Sequence, residues 1–263
     1  MTLAYGVCVG PSGDFEKFAL PGIRAMDPAA PIFVRRGQKS IFEAYNSIID
    51  EVAHLNVDGL VLIHDDVMIR DADFARKVTS LFEDPSIGIV GVIGASDVKS
   101  LEWWWSESRG RVRERGRTVD FGTGTFDVDV VDGLLIAMSS IALEILRFDE
   151  SFPGFHGYDA DIGMQAKSRG LRVVVADIDV YHDSVPGQIT NQKAYLRAGV
   201  LWRSKWRSTR ANRFEYIRFI STKKDLRLRQ RLTRIAGTAG PALEGCFEVV
   251  ERLVKRDLSL SND

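Results

Sequence analysis

The chain has 263 residues, 45% of them apolar and 27% charged, with a formal net charge of −1. That balance suits one large α/β domain, alone or with a helical appendage, and excludes a disordered chain or a disulfide-stapled miniprotein. The most apolar window, "IGIVGVIGA", falls well short of the ~18 residues a membrane span needs, and Cys8 and Cys246 form no motif, so a reducing, cytoplasmic setting is expected.

"MTLAYGVCVG" carries no charged segment ahead of an apolar run, so no signal peptide is expected. Within it "LAYGVCVG" reads as a first strand, closed by Pro11-Ser12-Gly13. "PIFVRR", with Arg35 near its end, reads as a second. "SIFEAYNSIIDEVAHL" spaces Ile41, Tyr45, Ile48, Ile49 and Val52 as a helix, with Ser40 and Glu43 placed for a capping box. "GLVLIHDD" reads as a third strand, "ADFARKVTSLFED" as a helix and "IGIVGVIG" as a fourth strand. Strands alternating with helices predict a parallel, doubly wound sheet. Ligands of such sheets gather at the carboxyl ends of the strands, where His64-Asp65-Asp66 falls.

"EWWWSESRGRVRERGRTVDFG" reads as a polar excursion, from which Trp103, Trp104 and Trp105 cannot all point inward. "TFDVDVVDGLLIAMSS" holds one or two strands, "IALEILRF" a short helix, and "DADIGMQAKSRG" a helix stopped by Gly170. "LRVVVADIDVYH" reads as a final strand. Residues 190 to 234 read as basic helices, and "PALEGCFEVVERLVKRDL" as a last helix. From Pro186 onward there are 17 Lys+Arg against 7 Asp+Glu, with 18 against 29 before it. The expected division is therefore a domain over 1–185 and a basic helical extension over 186–263. A solvated surface, a phosphate clamp, an anionic membrane or nucleic acid would each suit such an extension.

Three acidic or histidine clusters fall at element boundaries: His64-Asp65-Asp66, Asp159 with Asp161, and His182-Asp183. Hard divalent cations commonly bridge one or two carboxylates to a diphosphate, and one imidazole is compatible with Mn²⁺. Adjacent aspartates are also ordinary turn starters, so "HDD" alone decides little; three such clusters in order decide more.

That order resembles the family 2 glycosyltransferases of GT-A fold, in the prokaryotic branch typified by streptomycin-biosynthesis enzymes. The resemblance runs from about Tyr5 to about Ser184. It is carried by "SIFEAYN", by "LVLIHDDV" where the family has Asp-x-Asp, and by "VDGLLIAMSS…RFDESFPGFHGYDADIGMQAKSRGLRVVVADIDVYH". It implies an α/β, Rossmann-like GT-A fold with a mixed, mainly parallel sheet flanked by helices and a basic C-terminal extension. It implies inverting transfer of a sugar from a UDP-, GDP- or dTDP-linked donor to a glycan, lipid-linked or small-molecule hydroxyl, assisted by Mn²⁺ or Mg²⁺.

Carried over by position, Asp66 and His182 match the metal ligands and Asp159 the catalytic base. His64 stands where the first aspartate usually is; with Asp65 it is assigned to the nucleotide-sugar, together with Pro11, Arg35, Asn46, Arg203 and Lys205. Trp104, Trp105, Asp132, Gly133, His156, Tyr158 and Asp161 are assigned to the acceptor side. Tyr158 replaces the common Glu of "EDxD", and Asp161 suits a helix start as well as an acceptor contact. The residue types fit the chemistry: a cation offsets charge on the departing diphosphate, and a carboxylate takes the acceptor's proton.

The tail segment "LWRSKWRSTRANR" mixes aromatic and basic residues, which also suits peripheral contact with an anionic membrane; no RNA-recognition motif accompanies it, and nucleic acid is not expected. Two rival readings stay open. A nucleotidyltransferase would show a glycine-rich phosphate loop after the first strand, which "GPSGDFEK" with Lys17 does not convincingly supply. A non-catalytic binding module of the same fold would explain the departures at His64 and Tyr158.

Overall fold

The computed structural model describes residues 2–11, 13–183 and 191–210. In its first half lie β1 (Leu3–Val9), α1 (Ala19–Met26), β2 (Ile32–Arg36), α2 (Ile41–Val52), β3 (Gly59–His64), β4 (Val67–Ile69), α3 (Phe74–Phe82), β5 (Ile87–Gly91) and β6 (Ile93–Ser96). There follow β7 (Glu107–Glu114), β8 (Arg117–Asp120), β9 (Phe126–Val128), β10 (Val130–Val131), β11 (Leu135–Ser139), α4 (Ser140–Ile145), α5 (Tyr158–Ser168), β12 (Arg172–Val175), β13 (Val180–His182) and α6 (Gln192–Arg210).

The main sheet has seven strands in the order β2-β1-β3-β11-β5-β12-β9. Strand β1 is parallel to β2 and β3, and β12 is parallel to β5, while β11 runs antiparallel between β3 and β5. Leu60, Val61, Leu62 and Ile63 are all fully buried. That is the burial expected of a near-continuous apolar run covered on both faces. Helix α2 closes onto this sheet over Gly6, where an added Cβ would come within 3 Å of Leu62 and Ile48.

Several expected elements take a different form. Ser40 caps α2 by position only: its hydroxyl is buried with no partner, and the Ile41 amide instead donates to the Gly154 carbonyl at 3.0 Å. A loop 113 residues downstream thus replaces the capping box. The single strand "IGIVGVIG" breaks at Val92: β5 stays in the main sheet, and β6 enters a second sheet of order β10-β6-β7-β13-β4. "LRVVVADIDVYH" divides the same way into β12 and β13. The polar excursion is a β7–β8 hairpin, turned through Gly116 at φ 78°. Helix α1 has no counterpart in the sequence reading.

Arginines along β7 and just past its end pair with the aspartates that flank β13. Arg111 meets Asp177 at 3.5 Å, Arg113 meets Asp179 at 2.9 Å, and Arg115 pairs with Asp183. Alternate residues of a strand share a face, so Arg111 and Arg113 stand on one side of β7, and Arg115 follows in the turn. Of the basic extension only α6 is described, with Ala198 and Trp202 buried. The remainder of the expected basic helices and the expected last helix lie outside the described residues. No described helix is long and apolar enough to cross a membrane.

Candidate active site

His64 ends β3, and Asp65 and Asp66 form the turn into β4. Strand β13 pairs antiparallel with β4, setting His182 opposite Val67, and the Asp183 amide donates to the Asp66 carbonyl at 2.9 Å. That register brings together side chains more than a hundred residues apart. His182 Nε2 lies 3.4 Å from Asp66 Oδ1, and His64 Nδ1 lies 4.0 Å from the same oxygen.

One ligand atom from each of His64, Asp66 and His182 falls within 4.8 Å of the others, the only such group among the described residues. Ligands about 2.1 Å from a shared cation are separated by about 3 Å when adjacent and about 4.2 Å when opposed. The two separations from Asp66 Oδ1 fit that range, and two imidazoles with a carboxylate are an ordinary donor set.

Electrostatics favour the ligating forms of Asp66 and His64, whereas Asp66 draws a proton to His182 that a cation would have to displace. Burial pushes the Asp66 carboxyl up, but the His182 hydrogen bond and the two imidazoles outweigh it and hold it below the usual range. Burial holds His64 neutral. Burial lowers His182 too, but the Asp66 contact prevails and raises it. Asp65 turns elsewhere, accepting from the Gly10 amide at 2.9 Å across the end of β1, beside the exposed Pro11.

The second cluster forms where α5 begins. Asp159, half-buried in its first turn, accepts from the Gly133 amide at 3.3 Å. Burial, then the charge of Asp132, push its carboxyl up to about 7. Asp132 itself accepts from the Leu134 amide at 2.9 Å. Between the clusters stands Tyr158, packed edge-on against Tyr45 (5.7 Å) and Phe42 (6.2 Å), its hydroxyl 2.5 Å from His64 Nε2. Gly133 makes room for it: an added Cβ would strike that hydroxyl. His64, Asp66, His182, Tyr158, Asp159, Asp132 and Gly133 thus form one continuous site.

His156 stacks edge-on with Tyr195 of α6 at 5.4 Å. In the helical turn over residues 103–105, Trp103 is buried, Trp105 half-buried, and Trp104 is 39% exposed.

Other expected site residues have different neighbours. The Asn46 amide donates to the Phe148 carbonyl (2.9 Å) and Glu150 (2.8 Å) and accepts from the Phe148 amide, tying α2 to the segment before α5. Arg35 donates to Ser47 at 2.8 Å and pairs with Glu51. Asp161 sits in the first turn of α5, but its carboxylate is 1% exposed and faces away from solvent. It accepts from Gln165 (2.7 Å), Lys205 (3.0 Å) and Trp206 Nε1 (2.8 Å), while Lys205 also reaches Asp149 at 2.6 Å. Asp161 and Lys205 therefore brace α6 against α5. Arg203 lines a small cavity between α6 and residues 99–102.

Lys205 is exposed and also held by Asp149, so loss of Asp161 strands no buried charge; losing hydrogen bonds to a charged acceptor typically costs about 1.5–3 kcal/mol. Asp161→Ala should accordingly lower the urea midpoint and expose α6 to trypsin at Arg203 and Lys205. Unchanged digestion of α6 would mean that the brace does not hold it.

Neither the brace nor His64's place beside Asp66 followed from the sequence reading. For His64 a signal existed: residues 64 and 66 are two apart on an extended segment and tend to share a side. For the brace none existed, since Asp161 and Trp206 are 45 residues apart.

Comparison with known proteins adds to this geometry. A profile of the "Glycosyltransferase like family" matches residues 26–202. The streptomycin biosynthesis protein StrF of Streptomyces griseus is 39% identical over 186 residues, covering 68% of this chain and 66% of that protein. Among solved structures, mannosyltransferase PcManGT from Pyrobaculum calidifontis, in complex with GDP-Man and Mn²⁺, superposes at TM-score 0.50 and 13% identity, over 99% of this chain and 81% of that one. GalNAc-T7 with UDP, GalNAc and Mn²⁺ gives TM-score 0.51 at 10% identity, over 96% and 54%. S. aureus TarS 1-349 gives TM-score 0.50 at 10%, over 92% and 74%. At these identities the likeness to solved structures is one of fold, the GT-A fold.

Proposed function

The chain belongs to the glycosyltransferase-like family, and from that premise we propose that it moves a sugar from a nucleoside-diphosphate donor to an acceptor hydroxyl, inverting the anomeric centre. One observation carries this reading. A cation-ligand cluster at the end of β3 and a carboxyl raised to near neutrality at the start of α5 flank one continuous site.

Asp66, His182 and His64 would hold a divalent cation. When bound, that ion supplies Lewis-acid stabilisation of the departing diphosphate. Asp65, fixed by the Gly10 amide, is assigned to the nucleotide. Asp159 is assigned as general base: near neutral pH an ionised fraction of a carboxyl at about 7 can accept the hydroxyl proton, with more driving force than an ordinary carboxylate. The exposed face of Trp104 suits a sugar ring of the acceptor.

The testing experiment is thermal denaturation with UDP, GDP, dTDP or CDP, each with Mn²⁺, with Mg²⁺ and with chelator. A ligand at 100 times its Kd stabilises the folded state by ~2.7 kcal/mol. One nucleotide is expected to raise Tm in the presence of cation and to lose the effect with chelator. No shift with any of the four would count against the nucleotide-sugar assignment.

A further inference from the structure

We propose that Tyr158 is a positioning residue that turns the Nδ1 lone pair of His64 toward the cation, and that the resulting two-imidazole, one-carboxylate set makes the site favour first-row transition dications over Mg²⁺. The inference rests on the cation site assigned above and concerns which atoms this chain turns toward it.

The two nitrogens of His64 face different neighbours. Nδ1 lies 4.0 Å from Asp66 Oδ1, on the side of the cluster, while Nε2 lies 2.5 Å from the Tyr158 hydroxyl. A neutral imidazole has one N–H and one lone pair. When the Tyr158 oxygen accepts the Nε2 proton, the lone pair falls on Nδ1 and points into the cluster. The place of that hydroxyl is fixed. The Tyr158 ring is buried against Tyr45 and Phe42, and its hydroxyl occupies space left by the missing side chain of Gly133. Tyr158 also precedes Asp159 in α5, so one helical turn fixes a ligand nitrogen and carries the base.

Donor chemistry then sets the preference. Mg²⁺ favours oxygen ligands and gives up its waters reluctantly. Imidazole nitrogens favour first-row transition ions. With histidine at both 64 and 182, two of the three protein donors are nitrogen.

The test is Mn²⁺ binding to the full chain, read from the electron paramagnetic resonance signal of free Mn²⁺, alone and with UDP or GDP. Mg²⁺ is measured by competition. Loss of an outer partner of a ligating histidine typically weakens metal binding by about 10–100-fold. Tyr158→Phe and Gly133→Ala are each expected to weaken Mn²⁺ by that factor, and His64→Asp to narrow the Mn²⁺/Mg²⁺ affinity ratio by about tenfold or more. His64→Asp, at a half-exposed position, keeps the test open should either buried variant fail to fold. If Asp66→Asn abolishes Mn²⁺ binding while the affinity in Tyr158→Phe and the ratio in His64→Asp stay at wild-type values, the cation site stands and this inference falls. If the wild-type chain binds no Mn²⁺ with either nucleotide, the cation assignment itself fails, and the inference with it.

Discussion

Asp159→Asn should lower turnover by about 10²–10⁴-fold, the usual weight of a positioned proton acceptor, while nucleotide binding persists. The amide oxygen keeps the shape of the carboxyl and can still accept from the Gly133 amide, so only the ability to take a proton is removed. The wild-type rate should rise with pH and level off above about 7, following the carboxyl that burial and Asp132 push to that value. Stability should run the other way. The folded carboxyl binds its proton up to about 7, against an ordinary value of 3.8 in the unfolded chain. Between those values the folded state holds more protons, so this group's contribution is fully present below about 4 and is lost as pH rises through 7. Asp159→Asn should therefore melt above the wild type at pH 8 and together with it at pH 4. A variant that retains turnover would remove Asp159 from the base role.

Asp66→Asn should have an effect at least as large on turnover and a different one on binding. Asp66 is the only anionic donor of the three, and it contacts both imidazoles. A bound cation is worth several kcal/mol of transition-state charge stabilisation, so a loss on the order of 10³-fold or more is expected. The cation-dependent rise in Tm with nucleotide should vanish as well. Asp159→Asn keeps that rise, and the contrast separates an ion-binding role from a proton-accepting one. Persistence of the rise in Asp66→Asn would place the cation elsewhere.

The parts of this fold that were legible in the sequence are those whose signal is local. "LVLI" reads as a doubly covered strand because every residue in it is apolar, and residues 60–63 are indeed fully buried. "SIFEAYNSIIDEV" reads as α2 from its spacing. The GT-A architecture and the family both agree with the resemblance carried by the ordered motifs. What escaped depends on distant partners. A continuous apolar run cannot show where a chain leaves one sheet for another. At the break, Gly91 lies tight against the Val131 side chain and Gly94 against the Val130 backbone. Helix α1 contains Pro21 and Gly22, which argue against a helix locally; Gly22 instead lets it lie against the Ile69 backbone. In the site, the acidic and histidine positions were visible as types. Their roles were not: Asp159 and Asp161 look alike in "YDADIG", and only packing makes one a near-neutral carboxyl and the other an anchor for α6.

The antiparallel seating of β13 on β4 has a further effect through strand register. Strand β13 is parallel to β7, with Tyr181 opposite Arg113 and His182 opposite Glu114. A slip of one residue would turn His182 to the other face of the sheet. A slip of two would restore the face but carry the imidazole about 7 Å along the strand, away from the oxygen it now meets at 3.4 Å. Arginines recur at 109, 111, 113, 115 and 117, so a slip of two would still find one for each of Asp177, Asp179 and Asp183; the register is held instead by β4, where Val180, Tyr181 and His182 pair with Ile69, Met68 and Val67. That ladder, closed by the Asp183 amide on the Asp66 carbonyl, thus acts as a detent, and the setting it fixes is the one in which His182 reaches Asp66.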